Sequence, residues 1–267
     1  MTIKICLAGA TGWAGSALAR AIAATTDLTL TAAVARRTAG QQLGTVLGVE
    51  RLACPVYATV AEALTQPCDV FFEYTRPEQA KAHVLTALKH GCYVVIGTSG
   101  LSDDDYAEIA AAAAAAQRGV LAVGNFAITA VLLQQFAELA ARYCEQWEII
   151  DYAHDSKPDA PSGTARELAT RLGQIRPATL TIPIEQTQGL PATRGARLNG
   201  VQVHSVRLPG YTIAVEVIFG LPDQRLTIRH DAGTSAEPYV AGALLAIRRV
   251  SRLTGLHRGL DSVLKIG

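Results

Sequence analysis

The chain has 267 residues, enough for one large domain or two modest ones. Hydrophobic residues make up 49% and the formal net charge is +1, which exclude global disorder and broad electrostatic binding to nucleic acid or a membrane surface. The cysteines (Cys6, Cys54, Cys68, Cys92 and Cys144) are odd in number and lack CxxC spacing, so no disulfide framework and no metal site is expected, and a cytoplasmic location fits.

In chain order, residues 3–8 read as a strand with no signal-peptide pattern ahead of it, residues 16–24 as a helix and residues 28–35 as a second strand. Residues 70–73, 93–96 and 120–123 are further buried-strand candidates, with helices over 77–89 and 103–117 between them. The alanine-rich stretch 110–116 is too short to span a membrane, and Ser102 is a good N-cap for its helix. Continuous apolar strands alternating with helices imply a parallel sheet covered on both faces. After residue 125 the pattern changes. A helix over about 128–143 precedes a strand over about 148–152, another helix starts near Thr164, and residues 175–198 form a polar excursion. Strands over 201–207, 211–219 and 225–230, with Pro209-Gly210 and Gly220-Leu-Pro222 at their junctions, read as a meander of antiparallel hairpins. A helix over about 239–253 closes the chain. The expected architecture is α/β: a Rossmann-like doubly wound domain (1–126 plus 240–267) and a second α+β domain with a mixed or antiparallel sheet (127–239) for substrate binding and oligomerisation.

The segment Gly9-Ala-Thr-Gly-Trp-Ala-Gly15 follows the first strand and opens the first helix. Glycine there lets the backbone turn sharply beside a pyrophosphate, which the helix N-terminus then holds. The candidates in this loop are Gly9, Thr11, Gly12, Trp13, Ala14 and Gly15; Trp13 would pack over the cofactor or cover the helix. Where the second strand ends, Ala35-Arg-Arg-Thr38 offers two arginines and no acid. Arg36 and Arg37 suit the 2′-phosphate of NADPH, with NADH the alternative cofactor and solvated surface charge the bland reading. The loops at Glu73-Tyr-Thr-Arg-Pro77 and Gly97-Thr-Ser-Gly100 fall at strand ends, where hydroxyls and small residues could line a nicotinamide.

The run Asp151-Tyr-Ala-His-Asp-Ser-Lys-Pro-Asp-Ala-Pro-Ser-Gly-Thr-Ala165 is the most informative stretch. Ser162, Gly163 and Thr164 open a helix whose free N–H groups favour a carboxylate. Lys157 adds positive charge, and His154 can exchange a proton near neutral pH. Asp159 reads as structural, bonding loop amides ahead of the helix. His204 and His230 lie on strands and read as packing residues.

With these pieces in order the chain resembles the 4-hydroxy-tetrahydrodipicolinate reductase (dihydrodipicolinate reductase) family nearly end to end. The resemblance rests on Gly9-Ala-Thr-Gly12 with Gly15, Tyr74-Thr-Arg-Pro77, Val95-Ile-Gly-Thr98 with Gly100, Gly124-Asn-Phe126, Lys157-Pro-Asp-Ala-Pro-Ser-Gly-Thr-Ala165, Val203-His-Ser-Val-Arg-Leu208 and Leu226-Thr-Ile-Arg-His230. It implies a homotetramer of the lysine (diaminopimelate) pathway that transfers hydride from a reduced nicotinamide to a cyclic imine-type dicarboxylate. It further implies that His154, Lys157, Gly163 and Thr164 contact substrate, that Tyr74, Thr75, Gly97 and Thr98 lie near the nicotinamide, and that Asn125 and Phe126 sit at an interdomain hinge. The chain departs from the family's usual pattern at Ala153, where the first of two adjacent histidines usually carries the proton. Further departures are Ala214-Val215 in place of a His-Gln pair, and Ser235 in place of an arginine.

Lys157 and His154 are the remaining candidates for proton donor, with Tyr152 or a bound water behind them. Two alternatives stay open: a divergent reductase acting on another imino acid, and an NADP-binding sensor without turnover. A semialdehyde dehydrogenase would open on a similar glycine loop, but no cysteine here sits in a catalytic strand-to-helix turn.

Overall fold

The structure is a computed structural model that describes residues 2–264, so Met1 and residues 265–267 of the expected domain limits lie outside the described residues. In chain order its elements begin with β1 (Ile3–Ala8), α1 (Trp13–Ala23), β2 (Leu28–Val34), α2 (Leu43–Leu47), β3 (Val56–Tyr57), α3 (Val60–Ala63), β4 (Val70–Glu73), α4 (Pro77–Lys89), β5 (Tyr93–Ile96), α5 (Asp103–Ala116) and β6 (Gly119–Ala122). There follow α6 (Ile128–Ala141), β7 (Gln146–Ala153), α7 (Gly163–Ile175), β8 (Ala196–Leu198), β9 (Val201–Arg207), β10 (Ile213–Leu221) and β11 (Gln224–Ala232), and last α8 (Glu237–Arg249) and β12 (Gly255–Arg258). They divide into two compact units, Met1–Ile128 with Ala236–Gly267, and Thr129–Ser235.

The first unit holds a seven-stranded parallel sheet in the order β12-β6-β5-β4-β1-β2-β3. Its central strands β4, β5 and β6 are apolar with little alternation because both faces are covered. Phe71 and Val94 point into a core with Val84 of α4 and Ile109 of α5, while Ile5 and Leu7 are equally buried on the side where α1 packs against α8. Burying each such side chain contributes about 1.5–3 kcal/mol. Helix α5 starts as its sequence dictates: the Ser102 hydroxyl accepts from the Asp105 N–H at 3.1 Å and the Asp105 carboxylate accepts from the Ser102 N–H at 3.0 Å. The strand order reverses between β1 and β4, which opens a crevice at the carboxyl ends of these strands.

The second unit holds a mixed five-stranded sheet, β11-β10-β7-β9-β8. Trp147, Ile149 and Val217 bury one face against Leu133 of α6 and Leu168 and Leu172 of α7. The expected meander is corrected here. β10 and β11 form an antiparallel hairpin, but β9 and β10 do not pair; β7 lies between them, parallel to β9 and antiparallel to β10. The Pro209-Gly210 junction thus carries the chain across β7 instead of closing a hairpin. β7 takes the centre with Trp147 and Ile149 buried on one face and Glu148, Ile150 and Tyr152 half-buried on the other.

Candidate functional site

In the second unit, β7 runs out at Ala153 and the chain loops through residues 154–162 before entering α7. A buried carboxylate and a half-buried guanidinium shape that loop. Asp151, fully buried on the inward parity of β7, accepts from the Ser162 N–H at 2.8 Å. Arg207, at the end of the neighbouring β9, donates to the same carboxylate oxygen at 2.7 Å and to the Asp159 carbonyl at 2.7 Å. The Ala160–Pro161 peptide is cis. Ser162 then caps α7, its Oγ accepting from the Ala165 N–H at 3.3 Å.

The consequence for ligand binding is specific. The Ser162 amide is already committed to Asp151, so the backbone donors left at the helix start are those of Gly163 and Thr164. The Ser162 hydroxyl, which accepts from Ala165, keeps its own proton to donate. A Cβ on Gly163 would meet nothing within 4 Å, so the space over the helix start is open. Ahead of it, Lys157 Nζ sits 2.7 Å from Asp159 Oδ1, and this ammonium holds the Asp159 carboxyl below its ordinary value. Asp159 is thereby the partner of Lys157; the loop amide at Ser162 belongs to Asp151, which the sequence reading had not singled out. His154 Nδ1 is 2.7 Å from Ser156 Oγ, and its backbone N–H donates to Thr212. Ala153 shares the inward parity of Asp151, is fully buried and offers no proton. Ala214 and Val215 are buried on β10, where Val215 pairs with Asp151. Chemically, a helix N-terminus suits an anionic ligand, and the lysine and histidine of the preceding loop are groups able to exchange a proton.

In the first unit, the crevice at the carboxyl ends of β1, β2 and β4 is a cleft of about 920 Å³, lined by Gly9, Thr11, Gly12, Arg36, Arg37 and Thr75 among others. Gly9 has φ +80°, and a Cβ on Gly15 would overlap the Gly9 carbonyl, so side chains are excluded where the backbone turns. α1 begins at Trp13, earlier than its sequence pattern indicates, so the N–H groups of Trp13, Ala14 and Gly15 all belong to its open first turn. Trp13 itself is 60% exposed, its ring edge-on to Tyr239. Arg36 and Arg37 sit in a short 3-10 turn at the end of β2, and that turn carries no acidic residue. A turn that side chains would fill, a free helix N-terminus and two arginines fit a phosphate-bearing dinucleotide.

Tyr74 also lines this cleft. Tyr74 packs against Phe72 and Phe126 at ring centroid distances of 4.8 and 5.7 Å, and its burial pushes its phenol up from the ordinary value. Gly97 is closed over by the Tyr74 and Phe126 rings, Thr98 is nearly buried, and Phe126 belongs to the core. Asn125 accepts from the Ala127 N–H at 2.9 Å, turning the chain just before α6. Beneath them lies Glu73, another buried carboxylate the sequence reading passed over. Among the described residues no cluster of His, Cys, Asp and Glu could hold a metal, and no helix is long and apolar enough to cross a membrane.

Two family models together match most of the chain, the second of them running on through the segment that returns to the first unit. Residues 3–126 match the family model described as dihydrodipicolinate reductase, N-terminus, and residues 129–264 the one described as dihydrodipicolinate reductase, C-terminus. The chain is 37% identical to the 4-hydroxy-tetrahydrodipicolinate reductase of Geobacillus thermodenitrificans, covering 99% of this chain and 100% of that one. It is 36% identical to the enzyme of that name from Bacillus subtilis, with 98% of each chain covered. Among solved structures, the dipicolinate-bound dihydrodipicolinate reductase from Paenisporosarcina sp. TG-14 superposes with a TM-score of 0.87 at 31% identity, covering 99% of this chain and 100% of that one. The amine dehydrogenase of Mycobacterium smegmatis, at 15% identity and a TM-score of 0.70, shares the fold.

Proposed function

The chain belongs to the dihydrodipicolinate reductase family, and on that premise we propose how its own residues divide the reaction. It is an NAD(P)H-dependent oxidoreductase of the 4-hydroxy-tetrahydrodipicolinate reductase type, a step of lysine and diaminopimelate biosynthesis. The substrate carboxylate is held by the Gly163 and Thr164 amides and the Ser162 hydroxyl, with Lys157 neutralising its charge. Reduced nicotinamide, when bound, supplies hydride from its C4 to the conjugated imine. Lys157 or His154 then delivers the accompanying proton, because Ala153 has none to give.

The cofactor is NADPH in this reading. Arg36 and Arg37 can each fork onto a 2′-phosphate, and no acid at the end of β2 is there to grip the ribose hydroxyls of NADH. Residues 1–126 with 240–267 act as the dinucleotide-binding domain and residues 127–239 as the substrate domain. The sheet face of the second unit that carries Ile150, Tyr152, Val206 and Ile218, half-buried side chains opposite α6 and α7, is suited to bury itself against other copies in a homotetramer.

The observation that carries this reading is the N-terminus of α7, with two uncommitted amides, standing after a loop that presents Lys157 and His154. It is tested by running the reaction with NADPH deuterated at C4. Deuterium in the tetrahydrodipicolinate product, seen by mass spectrometry, is the expected outcome; product without label would refute direct hydride transfer.

A further inference from the structure

Glu73 is the last residue of β4 and its side chain is fully buried. A carboxylate withdrawn from water is costly unless its oxygens are hydrogen-bonded, and here both are. Oε1 accepts from the Thr75 N–H at 2.8 Å, from the Thr75 hydroxyl, and from the Thr98 hydroxyl at 3.3 Å. Oε2 lies 2.9 Å from Nδ1 of His83, on α4. One buried anion thereby ties together the turn after β4, the turn after β5 and the helix that walls the cleft.

This arrangement sets the polarity of two hydroxyls. A free threonine hydroxyl rotates to donate or accept as its neighbour requires, whereas an ionised carboxylate only accepts. The protons of Thr75 and Thr98 are therefore turned inward to Glu73, and what each Oγ1 can offer outward is a lone pair. Thr75 lines the dinucleotide cleft. A ligand group that meets these oxygens must donate.

We propose that Glu73 is a positioning residue for cofactor recognition: it holds Thr75 and Thr98 as acceptors, so that a nicotinamide is selected through the NH2 of its carboxamide. This rests on the reading above in which the nicotinamide lies at these two turns. Glu73 touches neither cofactor nor substrate; it acts through the threonines.

The test titrates the intact protein with NADPH and with the reduced 3-acetylpyridine analogue, which carries a methyl group in place of the NH2. Wild type is expected to hold NADPH on the order of tenfold more tightly, the worth of one good hydrogen bond. Glu73→Gln places an NH2 among the threonines and lets their protons turn outward, so the two ligands should come within about twofold of each other. Glu73→Asp, still only an acceptor, should keep the preference even where both affinities fall. A preference that persists unchanged in Glu73→Gln overturns the role of Glu73 and leaves the nicotinamide placement standing. Absence of any preference in wild type removes that placement and this inference with it. Should Glu73→Gln fail to fold, the double variant Thr75→Val/Thr98→Val answers the same question, because loss of the preference supports the proposal and an undiminished preference overturns it.

Discussion

Arg207 fastens Asp151 to the loop that builds the substrate end of the molecule: a single guanidinium nitrogen lies 2.7 Å from the Asp151 carboxylate and 2.7 Å from the Asp159 carbonyl. Asp151 in turn holds the Ser162 amide, so three points of the chain converge on one buried carboxylate. Removing one partner strands the other charge, at a cost of about 3–5 kcal/mol. Arg207→Met is expected to lower the denaturation midpoint markedly. Arg207→Lys, which keeps the charge and loses the planar guanidinium, should fold, yet raise KM for the dicarboxylate by roughly tenfold or more through a misplaced helix start. Chemical denaturation and steady-state kinetics check both.

The cofactor end makes a separate prediction. Arg36→Ala and Arg37→Ala should each weaken NADPH binding, by about ten- to a hundredfold for the residue that forks onto the phosphate, and leave NADH binding within about twofold. Titration of each variant with both cofactors is the check, and equal losses for NADPH and NADH would place the arginines elsewhere on the ligand.

Proton delivery can be assigned by profile. Loss of a general acid costs about 10²–10⁴ in rate. Of Lys157→Met and His154→Gln, the variant lacking the donor should show that loss in kcat together with disappearance of the alkaline limb of its pH profile. The other variant should change mainly KM, as expected for a group that binds carboxylate without donating.

How far the sequence carried these points depends on length and parity. β4 and β5 were legible because three and four apolar residues in a row need both faces covered, and α5 because Ser102 and Asp105 cap it. β3 and α3, at 2 and 4 residues, carry too little periodicity to register, although Thr59 and Glu62 form a capping box at the start of α3. The position of β7 between β9 and β10 was hidden because turn residues mark where a strand ends and say nothing about which strand it will pair with. At the site, Ser162, Gly163 and Thr164 were readable as a helix start, while the groups that hold them were missed. A signal existed: Asp151 falls on the same parity as Trp147 and Ile149, and Glu73 closes a fully apolar run, so each is a charge where a strand should be buried.

His230 gives a pH prediction for stability. It is largely buried on β11, 3.1 Å from the Thr129 hydroxyl, and burial lowers its imidazole below the ordinary value of 6.5. The folded state therefore favours the neutral ring, and the unfolded chain binds the extra proton first. Its contribution to stability is fully present above about pH 6.5 and is lost as the pH falls towards the folded-state value. Denaturation midpoints measured from pH 7.5 down to 5 should fall for wild type, and fall less for His230→Gln.

The measurement that bears most directly on this chain is NADPH absorbance followed with purified protein and freshly generated 4-hydroxy-tetrahydrodipicolinate. Turnover of order 1–100 per second is the expected result, and would mean that the reaction proceeds with Ala153 in place and with another group supplying the proton. Tight NADPH binding with no consumption above background would contradict it, and would leave a reductase scaffold turned to another imino acid or to sensing the cofactor.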